Sequence, residues 1–368
     1  MKLVYLSNAR MPTEKAHGLQ IMKTCEALAR AGHEVELVIP RRRNHLTADP
    51  FEYYGIRSRF PIMTLSTVDL IRFGRIGFLI QELSFALSAI FALQNDSRPV
   101  YSRDEDLLWI MSFFRRRTVI WESHVGAWNR AARSVASTAK AIVVISQGLK
   151  DFYIEQGIPR DKITVIPSAI DLDDFAHPES KDASRRRLGL PVDAKIALYI
   201  GRLDGWKGSG TFLEASEHVD ASIRFAVIGG SSAEIAPFAS RYPLVAFLGS
   251  RPYTELPDNQ SAADVLVVPN TGKDLISVRF TSPLKVVAHM ASGRPIVASD
   301  LPSIRELLAD DAALLVPPDD PEAFARAIEK VIADPVLAGK LAARAQEKVA
   351  LHTWQMRADA IVRILEAA

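Results

Sequence analysis

Short runs of β-branched and apolar residues alternate with stretches of helical periodicity, and this alternation restricts the possible folds more than any other feature. Lys2–Leu6 predicts a first strand. Apolar positions within Gly18–Ala31 favour a helix that Gly32 ends, and Glu34–Ile39 predicts the next strand. A strand, a helix and a second strand in this order form the repeating unit of a parallel sheet.

Two successive series of such units follow each other along the chain. The first continues with strands predicted at Thr118–Trp121, Ala141–Ile145 and Thr164–Ile166. The second comprises strands predicted at Lys195–Ile200, Arg224–Ile228, Val245–Leu248, Val265–Val268, Pro295–Ala298 and Ala313–Val316. A length of 368 residues agrees with two domains, since domains average about 150 residues. The sequence therefore predicts two doubly wound α/β domains.

The junction between the predicted domains is a polar segment with prolines and a run of arginines. We predict an N-terminal domain over 1–170, a linker over 171–194 and a C-terminal domain over 195–352. The stretch 353–368 has the periodicity of an amphipathic helix. Because ligands of such sheets bind beyond the carboxyl ends of the strands, two facing domains would form a binding cleft.

The single cysteine and the apolar stretches indicate the expected compartment. Cys25 has no partner for an internal disulfide, which favours a reducing cytoplasm. The apolar N-terminal stretch is too short for a signal peptide. The sequence contains no uninterrupted run of about 18 apolar residues, so no membrane-spanning helix is predicted.

The net charge of +2 hides an asymmetry between the two halves of the chain. Residues 1–169 contain 23 basic and 16 acidic side chains, whereas the remainder contains 22 basic and 27 acidic ones. A basic first half indicates contact with an anionic partner, such as a phospholipid surface, a lipid-linked phosphate or a nucleic acid. Solvated surface charge is an equally good explanation.

The stretch Tyr199–Gly208 carries two basic side chains directly after a predicted strand. Its glycines permit close approach of the backbone to a ligand. Arg202 can form paired hydrogen bonds with a phosphate, and Lys207 can act as a point charge. A diphosphate site is the favoured interpretation, and a surface turn with two unrelated basic residues is the alternative.

A second motif, Phe280–Lys285, leads into a predicted helix over Val286–Ala291. Ser282 is a typical N-cap residue, and Pro283 is favoured at the first helical position. Free amides and the helix dipole at such a terminus attract phosphate. An ordinary capped helix is the alternative.

These motifs, with others in the same order, resemble those of glycosyltransferase family 4, the retaining enzymes of the GT-B fold. The matching stretches are Val165–Asp171, Ile200–Leu203, Lys207-Gly208, Phe247–Gly249, Leu256-Pro257, Ala262–Val265, Val268–Asn270, Thr281–Lys285, Met290–Ala298 and Ile304–Glu306. The resemblance implies two doubly wound, Rossmann-like α/β domains that face a cleft, with the C-terminal helix crossing back to the N-terminal domain.

The resemblance also implies a nucleoside-diphosphate sugar as donor. Arg202 and Lys207 would bind its diphosphate and stabilise the departing nucleotide. The amides that start the donor helix, and one loop residue near the nucleobase, would complete this site: Ser282, Leu284, Lys285 and Arg251.

In the N-terminal domain, the resemblance assigns residues to the acceptor and to the transferred sugar. Gly18 would lie under the donor phosphate, with His17 on the acceptor side. His124 would contact the reacting sugar, and Arg103 would face the acceptor. The alternatives are a tight strand-to-helix turn at Gly18 and a structural hydrogen bond at His124.

One departure from the family pattern concerns the donor helix. The family's two glutamates correspond here to Phe280 and Ala288. The second glutamate usually accepts hydrogen bonds from the nucleotide ribose, and the Ala288 side chain cannot. Loss of such a bond weakens binding by about 1.5–3 kcal/mol. A compensating residue, an unusual donor and loss of activity are the open explanations.

We therefore predict a metal-independent transferase, without a cofactor, that moves a hexose-type sugar to a hydroxyl group with retention. The predicted partners are the nucleotide sugar and a saccharide or lipid-linked acceptor, in surface polysaccharide or glycolipid assembly. One alternative is a catalytically impaired GT-B scaffold with a binding or regulatory role, and another is a GT-B epimerase or phosphorylase. No nucleic-acid partner is predicted, since no recognised motif accompanies the basic surface.

A membrane partner is predicted from Arg57–Ile80, where arginines interleave with apolar side chains. Such a segment can lie on an anionic bilayer. A buried loop and helix with exposed arginines is the alternative. We expect a cytoplasmic protein in peripheral contact with the inner face of the membrane.

Overall fold

The chain folds into two compact units, each built around one parallel sheet. The computed structural model describes residues 1–114, 117–203, 205–309 and 311–367. The N-terminal unit contains Met1–Ile145, Leu149–Pro167 and the segment that starts at Trp354. The C-terminal unit contains Ser146–Gly148 and Ser168–Thr353.

The N-terminal sheet has seven strands: β1 (Lys2–Leu6), β2 (Glu34–Pro40), β3 (Ile62–Leu65), β4 (Val100–Ser102), β5 (Val119–Ser123), β6 (Ala141–Val144) and β7 (Ile163–Val165). They lie in the order β3-β2-β1-β4-β5-β6-β7, and all are parallel. The register pairs Leu3 with Val35 and Tyr5 with Tyr101. The strand order reverses between β1 and β4, and such a reversal marks the point where doubly wound sheets bind ligands.

The helices in this part of the chain are α1 (Ala16–Arg30), α2 (Pro50–Tyr53), α3 (Gly74–Ala92), α4 (Glu105–Ser112), α5 (Arg130–Thr138) and α6 (Gln147–Glu155). Short 3-10 turns precede α3 at Ile71–Phe73 and β7 at Arg160–Lys162. The central strand β1 is buried from Leu3 to Leu6. Strands buried on both faces have nearly continuous apolar runs, which explains why β1 is recognisable in the sequence.

The C-terminal sheet has six strands: β8 (Lys195–Ile200), β9 (Ile223–Ile228), β10 (Ala246–Phe247), β11 (Val265–Val268), β12 (Ile296–Ser299) and β13 (Leu314–Val316). Their order is β10-β9-β8-β11-β12-β13, again all parallel, with the reversal between β8 and β11. The core on one side includes Phe212 stacked on Phe225, with ring centroids 4.6 Å apart.

The helices of the C-terminal unit are α7 (Lys181–Leu188), α8 (Ser209–Ala215), α9 (Ser232–Arg241), α10 (Leu256–Ser261), α11 (Leu284–Ala291), α12 (Pro302–Leu308), α13 (Pro321–Ala333) and α14 (Pro335–Val349). Shorter turns lie at Leu172–Phe175, Gly205–Lys207 and Tyr253–Glu255, and a π-helical turn lies at Ile276–Phe280. The predicted strands and helices are present in both units, with ends shifted by one or two residues in most cases.

The C-terminal helix, Trp354–Glu366, belongs to the N-terminal unit and packs on α1. Arg357 of this helix is 5% exposed and forms a buried ion pair with Glu122 of β5. Its guanidinium also donates hydrogen bonds to the carbonyl groups of Ile166 and Pro167, at 2.7 and 3.0 Å. The predicted return of this helix to the N-terminal domain is confirmed.

The segment predicted as a linker differs from that expectation. Its three arginines belong to α7, inside the C-terminal unit. Ser180 caps this helix, and the buried guanidinium of Arg185 forms an ion pair with Asp264 at 2.6 Å. The arginines and polar residues of this segment therefore serve packing and capping.

Two strands, β3 and β4, are not predicted from the sequence. Each has four residues or fewer, and β3 lies at the edge of its sheet, where its side chains are mostly half-buried. The pairing of β3 with β2 also corrects part of the predicted membrane segment. Phe60 is buried, and Ile62 and Leu65 are half-buried, so this part is not an exposed apolar surface.

The stretch Ile71–Ala92 is long and apolar enough to cross a membrane by length and composition alone, and 33% of its most apolar window is buried. This differs from the expectation drawn from uninterrupted apolar runs, because Arg72, Arg75, Gln81 and Glu82 interrupt the stretch.

Candidate active site

A cavity of about 560 Å³ lies where the strand order of the N-terminal sheet reverses. Residues that follow β1, β4 and β5 form much of its wall, because the carboxyl ends of parallel strands meet at one edge of the sheet. His17, Arg103 and His124, which the sequence places far apart, line this cavity together. The structure therefore brings three of the predicted site residues into one concave site.

Charged groups of both signs surround the cavity. Its cationic side chains are Arg10, Lys15, Arg42 and Arg103, and its carboxyl groups are Glu82, Asp104 and Glu105. Burial raises the pKa of Glu82 to about 7, and Asp106 and Asp104 add to this effect. Burial also raises the pKa of Asp104 and of Glu105. Since guanidinium groups stay protonated, the cavity favours an anionic ligand.

Both cavity histidines are neutral at physiological pH. Burial, followed by the positive charge of Arg103, lowers the pKa of His17 and of His124 to about 4. The Nε2 atom of His124 hydrogen bonds with the carboxylate of Glu122. Because an ionised carboxylate only accepts, Nε2 carries the proton and Nδ1 is an acceptor. His124 is thus suited to accept a hydrogen bond from a ligand hydroxyl, and its low pKa makes it a weak base.

Glu122 is a positioning residue for which the sequence predicts no role. It is almost completely buried, and its second oxygen accepts a hydrogen bond from the Tyr101 hydroxyl at 2.5 Å. Burial alone would raise the pKa of Glu122, but Arg357 and His124 outweigh burial and hold this pKa well below its usual range. The signal in the sequence is an acidic residue within a buried strand, which requires a partner.

Gly18 lies in α1 next to this site but does not line the cavity. A Cβ atom at Gly18 would lie 2.1 Å from the Tyr54 hydroxyl and 2.6 Å from Cγ2 of Thr13. The same hydroxyl donates a hydrogen bond to the Thr13 carbonyl at 2.8 Å and accepts one from the Thr13 amide at 2.7 Å. The absence of a side chain at Gly18 therefore permits the packing of the loop that does line the cavity.

In the C-terminal unit, the loop after β8 lies where the strand order reverses. Arg202 is exposed, and the half-buried Lys207 places its Nζ atom 5.4 Å from the centre of the Trp206 ring. Gly208 has a φ of 69°, and a Cβ atom there would lie 1.6 Å from the Pro269 carbonyl oxygen. This loop and the end of β11 are therefore in tight backbone contact. Asp204, inside the loop, lies outside the described residues.

The start of α11, the helix predicted to bind the donor phosphates, departs from the predicted capping. The helix α11 begins at Leu284 with Pro283 as its N-cap residue, and no side chain caps it. Ser282 instead accepts a hydrogen bond from the Ser168 amide at 2.9 Å, and its carbonyl accepts one from the Ser168 hydroxyl at 2.5 Å. The prediction of Ser282 as N-cap is wrong, because Pro283 takes that position and the Ser282 hydroxyl bonds to Ser168 instead.

Tyr199 connects the two predicted phosphate-binding segments. Its hydroxyl donates a hydrogen bond to the Arg202 carbonyl at 2.7 Å, and the Nζ atom of Lys285 lies 4.9 Å from the centre of its ring. The loop with Arg202 and Lys207 and the first turn of α11 are therefore neighbours at one edge of the sheet. Arg251 is an exposed residue of the loop that follows β10.

Asn270 is a candidate site residue to which the sequence analysis assigns no role. It lies two residues after the end of β11 and is completely buried. Neither polar atom of its side chain has a hydrogen-bond partner among the described residues. A buried amide without a partner is costly, so this side chain is suited to bind a ligand group beside the Gly208 loop.

The helix α11 carries no acidic side chain. Ala288 is 1% exposed and packs in an apolar cluster with Val287, Met290 and Ile304. The adjacent His289 is completely buried, its Nδ1 atom lies 2.7 Å from Nε2 of Gln260, and burial lowers its pKa to about 3. Within the described ranges, no group of three or more His, Cys, Asp or Glu side chains is placed to hold a metal ion.

We expect Gly208→Ala to destabilise the C-terminal unit by about 1–3 kcal/mol, because the methyl group meets the Pro269 carbonyl in a left-handed backbone conformation. Gly210→Ala is the matched control, since a Cβ atom there meets nothing within 4 Å. This control should change stability by less than about 1 kcal/mol. Urea unfolding of both variants measures the difference, and equal stabilities would contradict the proposed tight contact.

Two family models match the chain, one in each half. The model described as Glycosyltransferase Family 4 matches residues 18–174, and the model described as Glycosyl transferases group 1 matches residues 194–334. Together they cover the first helix, most of the N-terminal sheet and most of the C-terminal unit.

Among curated relatives, the D-inositol 3-phosphate glycosyltransferase of Xylanimonas cellulosilytica is 30% identical over 249 residues. This match covers 64% of the present chain and 58% of the relative, so it spans little more than half of that protein.

Solved structures share the fold over the whole chain. HepE of Anabaena, in complex with UDP and glucose, has a TM-score of 0.78 at 17% identity, with all of both chains covered. Sucrose-phosphate synthase of Thermosynechococcus elongatus has a TM-score of 0.81 at 21% identity, covering 100% of this chain and 98% of that one. The predicted GT-B fold of two doubly wound α/β domains is thereby confirmed. The two family matches and the shared fold show that this chain belongs to the group 1, family 4 glycosyltransferases.

Proposed function

We propose that this protein transfers a hexose-type sugar from a nucleoside diphosphate to a hydroxyl group, with retention of the anomeric configuration and without a metal ion. The observation that carries this proposal is the loop with Arg202 and Lys207, which lies where the strand order of the C-terminal sheet reverses. Its position beside the first turn of α11 places two cations next to the positive end of a helix dipole. Such an arrangement is suited to a diphosphate.

The leaving group determines the chemistry of this half of the site. As the bond between the sugar C1 and the diphosphate oxygen breaks, negative charge develops on the phosphate. Arg202, Lys207 and the amides around Ser282, Leu284 and Lys285 stabilise that charge. In a front-face reaction the acceptor hydroxyl attacks C1 from the side on which the diphosphate leaves, and its proton passes to the departing phosphate. The configuration at C1 is therefore retained.

The cavity of the N-terminal unit is proposed to bind the acceptor. Its arginines and Lys15 suit an anionic group such as a phosphate, with His17 and Arg103 on the acceptor side. His124 Nδ1 is proposed to accept a hydrogen bond from the transferred sugar. A curated relative is named for transfer to inositol 3-phosphate, which supports an anionic acceptor. We propose a role in surface polysaccharide or glycolipid assembly, at the cytoplasmic face of the membrane.

Ala288 supports a second candidate function, a GT-B scaffold that binds without catalysing transfer. The helix α11 offers no carboxylate to the nucleotide ribose. Asn270 is the proposed substitute for the missing hydrogen bond, because its buried amide has no partner among the described residues. Binding of a nucleotide without transfer or hydrolysis of its sugar would favour the scaffold.

We expect one of UDP, GDP and ADP to raise the melting temperature selectively. A ligand at about 100 times its Kd stabilises the folded protein by about 2.7 kcal/mol. The same nucleotide should leave the Arg202→Ala/Lys207→Ala protein unchanged. Thermal unfolding with each nucleotide and its sugar measures both effects, and product analysis with and without an acceptor then separates transferase from scaffold. An absence of stabilisation by all three nucleotides would contradict the proposed donor site.

A further inference from the structure

One face of α3 is apolar and exposed to solvent. Apart from Gly74, every exposed side chain between Arg72 and Ala92 is apolar or an arginine. The apolar side chains that share this face are Ile76, Leu79, Ile80, Leu83, Leu87 and Phe91, which we call the α3 apolar face. Ile76 and Phe91 are 72% and 74% exposed. Spacings of three and four residues place these side chains on one side of the helix, and contiguous exposed patches of this kind mark interaction surfaces.

The opposite face of α3 is fixed in the N-terminal unit. Gln81 donates a hydrogen bond to the Asn8 side chain at 2.8 Å, and Phe85 and Ala86 are completely buried. Because this face is fixed, α3 has only its α3 apolar face available to lie along an apolar surface. The length of Ile71–Ala92 therefore points to a helix that rests on a bilayer rather than one that crosses it.

The charges beside the α3 apolar face identify the kind of partner. Arg72 and Arg75 are exposed at the start of the helix, and no described residue forms an ion pair with either. Glu82 is the sole acidic residue between Arg72 and Ala92, and it is buried. Arginines next to exposed apolar side chains complement an anionic lipid surface.

We propose that the α3 apolar face docks on an anionic lipid bilayer, with Arg72 and Arg75 among the lipid headgroups. Ile71 and Phe78, from the same stretch of chain, line the basic cavity. Docking therefore brings this cavity to the membrane surface. This last step rests on the proposed function. An acceptor of that reaction with a phosphate group and a lipid tail would then have its phosphate in the cavity and its tail in the bilayer.

Vesicle co-sedimentation of the full chain tests the proposal in the absence of any sugar donor. We expect binding to vesicles made of equal parts of phosphatidylcholine and phosphatidylglycerol, and weaker binding to phosphatidylcholine alone. Ile76→Ser/Leu83→Ser/Leu87→Ser should weaken binding roughly tenfold or more. Arg72→Gln/Arg75→Gln should weaken binding to the anionic vesicles alone, by about fivefold per arginine.

The control is Leu244→Ser/Val336→Ser, which removes two apolar side chains of the C-terminal unit that are 79% and 82% exposed. It should leave vesicle binding unchanged. Unchanged melting temperatures and unchanged nucleotide stabilisation show that the variants are folded and that the donor site is separate. The proposal is overturned by absence of binding to anionic vesicles, or by binding that survives both α3 variants. A dimer in sedimentation equilibrium that the triple variant abolishes, without vesicle binding, would assign the face to a second copy.

Discussion

Arg202→Ala/Lys207→Ala is expected to lower the rate of sugar transfer by at least about 10³-fold. Removal of one preorganised group that stabilises developing charge costs about 10²–10³-fold in rate, and this variant removes two. The loss should be larger in kcat than in the apparent affinity for the acceptor, because the charge on the departing phosphate is greatest in the transition state. Initial rates over a range of donor and acceptor concentrations measure it.

The control for this variant removes one lysine and one arginine from the opposite, amino ends of the strands in the same sheet. Lys195 and Arg224 are exposed at the amino ends of β8 and β9. Lys195→Ala/Arg224→Ala has the same net charge as the test variant and should transfer sugar at nearly the wild-type rate. Equal losses in the two variants would show that overall charge, rather than the loop after β8, determines the rate, and this result would remove the main support for the donor site.

The fold could be predicted to a large extent because its strongest signals are local. The apolar runs of β1, β8 and β11 are buried on both faces, so their composition alone distinguishes them from helices and loops. The strand β3 could not be found this way, because an edge strand with half-buried side chains lacks such a run. The helix α7 resembled a linker because its buried Arg185 is neutralised by Asp264, which is distant in sequence.

The site could be predicted in part. His17, Arg103 and His124 were identified from motifs, yet their common cavity depends on the order of β1, β4 and β5 in the sheet. The role of Glu122 depends on Arg357, which follows it by more than two hundred residues. Single-residue patterns carry no information about such distant partners. Ser282 shows the reverse case, where a strong local capping signal loses to a tertiary hydrogen bond with Ser168.

The buried pair of Glu122 and Arg357 has consequences for both stability and the site. The Glu122 carboxylate joins β5, the C-terminal helix and His124 in one network. Because its pKa is held below the usual range, Glu122 stabilises the folded state at neutral pH, and this contribution is lost as the pH falls through that lowered pKa. The network therefore remains intact over the whole range in which His17 and His124 are neutral, above about pH 4.

We expect Arg357→Met to destabilise the N-terminal unit by about 3–5 kcal/mol at pH 7.5, because it leaves the buried Glu122 carboxylate without its counter-charge. In this variant burial raises the pKa of Glu122, so the loss should shrink as the pH falls and the carboxyl group takes up a proton. Glu122→Gln/Arg357→Met should be markedly more stable than Arg357→Met, since the unpaired charge is absent. Arg363→Met, at an exposed position of the same helix, should change stability by less than about 0.5 kcal/mol. Urea unfolding at several pH values measures all four proteins. If Arg357→Met were no less stable than Arg363→Met, or if its deficit did not depend on pH, the ion pair would not be what holds the C-terminal helix to this unit.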